Sequence, residues 1–198
     1  MTFHHRADMS KTAQLVIRTA THEDRQTLQA LQSASTERLL DPFLTESQRR
    51  TMRQIAPFDH RLIVDGTYYV AEVDGAVAAS GGWSKRAALY RSADEPGSGD
   101  RFLDPRADAA IVRAMYTHPA YARRGLGALV LSTALVAARM SGFRRAELLA
   151  TPAGRDFYVA NGWSIEEEVP VGPDERCAVP GYRMSRALGS KCTLSRNA

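Results

Sequence analysis

The sequence predicts an α/β (α+β) fold, a mixed and mostly antiparallel twisted sheet of about seven strands with helices on both faces. Three observations carry that prediction. Asp74-Gly75 joins two runs rich in aromatic and β-branched residues, which marks an antiparallel hairpin. Two apolar runs, Ala110 to Thr117 and Arg144 to Ala150, are each followed by a helical pattern and then a further strand. A last pair of strands closes the chain across Gly172-Pro173-Asp174.

In chain order, residues 1–12 are polar and expected to be a flexible N-terminus, and Gln14 to Arg18 makes a short first strand. Thr21 followed by Asp24 has the spacing of a helix N-cap with an acidic first turn. Leu28, Leu31 and Leu39-Leu40 then give one apolar helical face, interrupted by Pro42. Thr45 and Gln48 have capping-box spacing and open a second helix, carrying Met52 and Ile55, that Pro57 stops. The hairpin follows as Thr67 to Val73 and Ala76 to Trp83. Ser84 to Asp108 is long, polar and aperiodic around Pro96-Gly97-Ser98-Gly99, as a surface insertion would be; alternatively its Lys85, Arg86, Tyr90, Arg91 and Asp94 line a substrate entrance. Next come the Ala110 to Thr117 strand, a helix from about Gly125 to Met140 stopped by Gly142, and the Arg144 to Ala150 strand. A short helix from Pro152 to Ala160 ends at Asn161-Gly162, Trp163 to Val171 and Arg176 to Leu188 are the final strands, and 189–198 is expected to be a flexible tail.

A chain of 198 residues, 44% hydrophobic and 24% charged, suits one domain, 13–188, with a sizeable core. Its net charge of +4 is scattered in pairs such as Arg49-Arg50 and Arg144-Arg145. That lacks the basic stripe with interleaved aromatics of a nucleic-acid binder, so no nucleic-acid partner is expected. Cys177 and Cys192 have no CxxC spacing, and His4, His5, His22, His60 and His118 form no ligand spacing with them or with one another. Neither a disulfide framework nor a metal site is expected. The N-terminus has no apolar core of signal-peptide length, and the longest apolar stretch, Ala128 to Ala138, is too short to span a bilayer. The expectation is a cytoplasmic protein without a membrane partner.

The strongest functional signal runs from Ala109 to Met140. A strand meets a Pro-marked loop, then Arg123-Arg124-Gly125-Leu126-Gly127, then the amphipathic helix. Such a junction aims unpaired backbone N–H groups and the positive end of the helix dipole at whatever lies before the turn. Two arginines beside them make phosphate or pyrophosphate the natural ligand, and glycine at 125 and 127 removes the Cβ atoms that would hold it away. Val130 stands where a dinucleotide fingerprint needs a third small residue, no Lys-Ser or Lys-Thr follows for a P-loop, and no GxSxG elbow is present.

With His118-Pro119 before it, Ala122 to Ala128 resembles the acetyl-CoA-binding motif of the GCN5-related N-acetyltransferase (GNAT) superfamily: Gln or Arg, two residues, Gly, one residue, Gly or Ala. Ala122 stands where Gln or Arg is usual. Asp156 to Trp163, with Phe157-Tyr158, resembles the family's second signature, and the resemblance covers roughly Leu15 to Leu188. It implies a GNAT-like sheet and acetyl-CoA as acyl donor. Its pyrophosphate would lie on Arg123, Arg124, Gly125, Leu126, Gly127 and Ala128, its pantetheine arm along the backbone of Met115, Tyr116 and Thr117.

The resemblance also implies direct attack by a primary amine, a strand N–H near Met115 or Tyr116 for the oxyanion, and Tyr158 as general acid to the departing thiolate. An alkyl ammonium, with pKa about 10, must first lose a proton. Asp108 and Glu72 are the candidate bases, Glu147 is a further carboxylate, and ordered water is the alternative. The expected acceptor is a small-molecule amine, since the long insertion would cover the site. A peptide or protein acceptor, and a non-catalytic acyl-CoA-binding sensor or partner module, are the alternatives, and a homodimer through exposed sheet edges is a further expectation.

Overall fold

The computed structural model describes residues 13–56, 58–87 and 101–189. β1 (Leu15–Thr19) leads through a 3-10 turn (His22–Asp24) into α1 (Arg25–Ser35). Thr21 stands at the N-cap of the 3-10 turn with Asp24 in its acidic first turn, and the Asp24 carboxylate accepts the Thr21 N–H at 2.7 Å. The helix does not run unchanged to Pro42. It widens into a π-helical turn (Thr36–Leu40), then tightens to a 3-10 turn (Asp41–Phe43) at the proline, whose ring and missing N–H end the regular ladder. α2 (Glu46–Ile55) opens with both bonds of its capping box, Gln48 N–H to Thr45 Oγ1 at 3.3 Å and Thr45 N–H to Gln48 Oε1 at 3.0 Å. The four-residue α3 (Arg61–Val64) is too short to show a period in the sequence.

β2 (Tyr68–Val73) and β3 (Ala76–Ser84) form the hairpin, with Asp74 and Gly75 at φ 52° and 80° as a primed turn requires. Then come β4 (Ala110–Thr117), α4 (Leu126–Met140), β5 (Arg145–Ala150), α5 (Arg155–Ala160), β6 (Ser164–Val171) and β7 (Val179–Ala187). β7 starts at Val179 rather than Arg176. Asp174 accepts the Arg176 N–H at 2.9 Å and its carbonyl takes the Cys177 N–H at 3.1 Å, which prolongs the turn.

The seven strands lie in the order β1-β2-β3-β4-β5-β7-β6, antiparallel except where β4 meets β5. Alternation along β2 supplies both faces of the sheet. Tyr68 and Val70 pack with Leu28 and Leu31 of α1, whereas Ala71 and Val73 pack with Leu126 and Val130 of α4. The largest cluster lies under α4 and gathers Trp83, Val112, Leu131, Phe143, Leu148, Tyr158, Trp163 and Met184. Each such leucine contributes about 2 kcal/mol by leaving water. Of the described helices none is long and apolar enough to cross a membrane. Residues 1–12 and the tail from 190, with Cys192, lie outside the described residues, as do Tyr90, Arg91, Asp94 and the Pro96 to Gly99 run.

Two irregularities of β4 open the sheet. It pairs with β5 only at Ala110 with Ala146 and Ile111 with Glu147. On its other side Ser80 pairs with Tyr116 and Gly82 with Arg113, so Ala114 and Met115 together face Gly81 in a β-bulge. Ala114 sits at φ 56°, a left-handed conformation that costs a residue with a Cβ about 1 kcal/mol or more. Gly81, opposite the bulge, leaves room for the Met115 side chain, whose sulfur a Cβ there would displace.

Candidate active site

Where β4 and β5 part, an open cavity of about 1010 Å³ forms. β4 gives it Val112 to Thr117, and the loop into α4 gives Tyr121 to Arg123 and Gly125 to Ala128. The end of β5 adds Leu149 and Ala150, and α5 with its cap adds Phe157, Tyr158 and Asn161. From α1, the π-helical turn and α2 come polar Gln29, Gln32, Ser33, Glu37 and Arg53 together with apolar Leu39, Leu40, Met52 and Ile55.

The loop into α4 is shaped for an anion. Arg123 and Gly125 both adopt left-handed conformations, at φ 63° and 81°, and Gly125 caps the helix. The Leu129 N–H meets the Gly125 carbonyl at 3.0 Å, so the N–H groups of Leu126, Gly127 and Ala128 precede the helical ladder. They carry the positive end of the helix dipole where these residues border the cavity. A Cβ at position 127 would stand 3.4 Å from Thr117 Oγ1 and 3.5 Å from the Phe157 ring. The two sequence signatures therefore meet at one point, the end of β4. Tyr158 is 8% exposed, held edge-on by Phe157 and Trp163 with ring centres 5.1 and 5.8 Å away.

The model of the acetyltransferase (GNAT) domain matches residues 64–165, more than half of the 198-residue chain. The chain belongs to the GNAT acetyltransferase family. The match spans the hairpin, the bulged strand, the α4 turn and α5. No curated protein sequence matches the chain. Solved structures share the GNAT fold over most of its length. A GCN5-related N-acetyltransferase from Rhodopseudomonas palustris has TM-score 0.64 and 17% identity, over 87% of this chain and 94% of that one. PaiA N-acetyltransferase from Thermoplasma acidophilum, in complex with coenzyme A, has TM-score 0.62 and 14% identity over 88% and 99%. YncA from Salmonella typhimurium, with its cofactor acetyl-CoA, has TM-score 0.59 and 16% identity over 90% and 96%.

Of the residues that the sequence nominates for this GNAT domain, the structure gathers Met115, Tyr116, Thr117, Arg123, Gly125, Leu126, Gly127, Ala128 and Tyr158 around the cavity. Arg124 is at the rim instead, its guanidinium 5.3 Å from the Tyr121 ring centre. Three carboxylates are not brought there. Asp108 binds Arg101 at 2.8 Å and accepts the Asp104 N–H at 2.8 Å; the Arg101 hydrogen bond, more than the Asp104 one, holds it below the usual carboxylate range. Glu72 pairs with Arg18 at 2.6 Å, and Glu147 with Arg145 at 3.1 Å. Lys85 and Arg86 are tied to Asp65, the first by its carbonyl at 3.1 Å and the second by its carboxylate at 2.9 Å.

Sequence reasoning missed the carboxylates that do border the cavity. Glu37 is exposed on the π-helical turn, a type of helix defect frequent at functional sites. Asp59 is buried and accepts from Arg61 Nε at 3.0 Å, with Arg113 3.5 Å away. Burial pushes its pKa up, but the Arg61 hydrogen bonds and the Arg113 charge outweigh that, so it lies below the ordinary value. Asp59 and Arg113 are far apart in the chain, and only the folded sheet brings them together. Among the described residues no three His, Cys, Asp or Glu gather as a metal site.

Proposed function

We propose that this chain is an acetyl-CoA-dependent N-acetyltransferase that moves the acetyl group directly to the primary amine of a small molecule. The observation that carries the proposal is that one cavity is walled jointly by the bulged β4 backbone, the unladdered start of α4 and Tyr158. Acetyl-CoA supplies a thioester carbonyl at which the amine nitrogen forms a C–N bond as the C–S bond breaks.

The N–H groups of Leu126, Gly127 and Ala128, with Arg123 beside them and Arg124 at the rim, hold the pyrophosphate. Met115, Tyr116 and Thr117 pair with the pantetheine amides. The Thr117 N–H, now 3.4 Å from Ser35 Oγ, exchanges that weak contact for a better acceptor. A Met115 or Tyr116 N–H takes the charge that develops on the carbonyl oxygen. Tyr158 gives its proton to the departing sulfur and regains one from solvent. With Asp108 and Glu72 held in ion pairs elsewhere, the ammonium loses its proton through ordered water, and Glu37 draws the cationic acceptor toward the π-helical turn.

Isothermal titration with acetyl-CoA tests the first half: saturable binding supports the proposal, and its absence in folded protein sinks it. Thiol release across a panel of small amines, with peptides in parallel and products identified by mass, tests the second. A second reading, acyl-CoA binding without turnover, draws on the displacement of Asp108 and Glu72 from the cavity. Binding without thiol release from any acceptor would favour it.

A further inference from the structure

Tyr68 of β2 is wholly buried, and so is Ser80 of β3. The Tyr68 hydroxyl lies 2.8 Å from the Ala114 carbonyl oxygen and 2.9 Å from Ser80 Oγ. A carbonyl only accepts and a phenol has one proton to give, so the direction of this relay is fixed. Tyr68 O–H donates to the Ala114 carbonyl, and Ser80 O–H donates to the Tyr68 oxygen. Ala114 is the left-handed residue of the β4 bulge.

The Ala114 carbonyl shares a planar trans peptide with the Met115 N–H, so fixing one points the other in the opposite direction. We propose that Tyr68 and Ser80 are positioning residues: by gripping the Ala114 carbonyl from within the core they aim the Met115 N–H that receives the developing oxyanion. The inference rests on the acyl-transfer reading of the cavity, which Ala114 and Met115 both border. Without the grip, the bulge retains a strained residue and a freed carbonyl, and the peptide is at liberty to turn. Burial holds the Tyr68 phenol well above its ordinary pKa, so it remains a donor throughout the working pH range.

Tyr68→Phe keeps the ring in the core and removes only the hydroxyl. Since deleting an oxyanion donor costs about a hundredfold or more, misaiming one should lower kcat about tenfold while the KM for acetyl-CoA moves less than about twofold. Hydrogen exchange supplies a readout independent of turnover. The amides of 113–117 should exchange faster in the variant while the β6 to β7 ladder keeps its protection. Ser80→Ala, which removes the second bond only, should shift both readouts in the same direction by less, and it carries the test if Tyr68→Phe fails to fold. Unchanged kcat, or exchange rising equally throughout the sheet, would overturn the proposal. Wild-type protein that neither binds nor turns over acetyl-CoA would sink the proposed function instead, leaving the exchange comparison to decide the positioning role.

Discussion

Tyr158 reaches the cavity from inside the core, wedged between Phe157 and Trp163, so its position is set by packing rather than by solvent. Tyr158→Phe keeps that packing. Turnover should fall about a hundredfold, the lower range for a lost general acid because a thiolate leaves readily, with acetyl-CoA affinity unchanged by calorimetry. Asp24 gives a second prediction at this scale. The Arg18 hydrogen bonds, partly opposed by burial, lower its pKa from 3.8 to about 2. A carboxyl whose folded pKa is depressed contributes stability above its unfolded pKa and loses it as pH falls through the folded one. Urea unfolding should therefore weaken by roughly 2 kcal/mol between about pH 4 and pH 2, and Asp24→Asn should flatten that part of the profile. The residues legible in the sequence were those whose signal is local, Gly125 and Tyr158 within short signatures. Asp59 with Arg113 was not, because each is an ordinary charge until the fold makes them neighbours.

Elements show the same division. The N-cap position of Thr21, the capping box at Thr45, the Asp74-Gly75 turn and the Gly142 stop all depend on contacts within a few residues, and each forms where its spacing places it. The bulge in β4 lies opposite Gly81 of β3 and bonds Tyr68 of β2 through the Ala114 carbonyl, both remote in sequence, and nothing between Ala110 and Thr117 announces it. The π-helical turn after α1 was hidden for a similar reason, as Leu39 and Leu40 continue a helical period whichever ladder the backbone uses. The start of α4 offers the sharpest element-level test. A side chain on Gly125 would meet nothing within 4 Å, so Gly125→Ala pays only for its left-handed backbone, about 1 kcal/mol. Thermal denaturation should show a drop of about 2–4 °C. Titration should show acetyl-CoA affinity reduced about tenfold, as expected when N–H groups tilt away from a charged acceptor.

At the scale of the whole molecule, the cavity exists because a sheet that is otherwise continuous loses the β4 to β5 pairing beyond Ile111, the second residue of β4. A ligand seated there would bridge the β1 to β4 portion and the β5 to β7 portion. Acetyl-CoA at a hundred times its dissociation constant should therefore stabilise the protein by about 2.7 kcal/mol. Scanning calorimetry should record this as a rise of about 5–10 °C. Coenzyme A should match most of the rise, and a pantetheine lacking the phosphates should give little, since the start of α4 would find no anion. The two tryptophans have an optical consequence. Trp83 and Trp163 are 1% and 3% exposed within one cluster, so native emission should be blue-shifted and move to the red in one step when that cluster opens. Trp163, 5.8 Å from Tyr158, is also an emitter set directly behind the cavity wall, and the intensity of its light should report what enters.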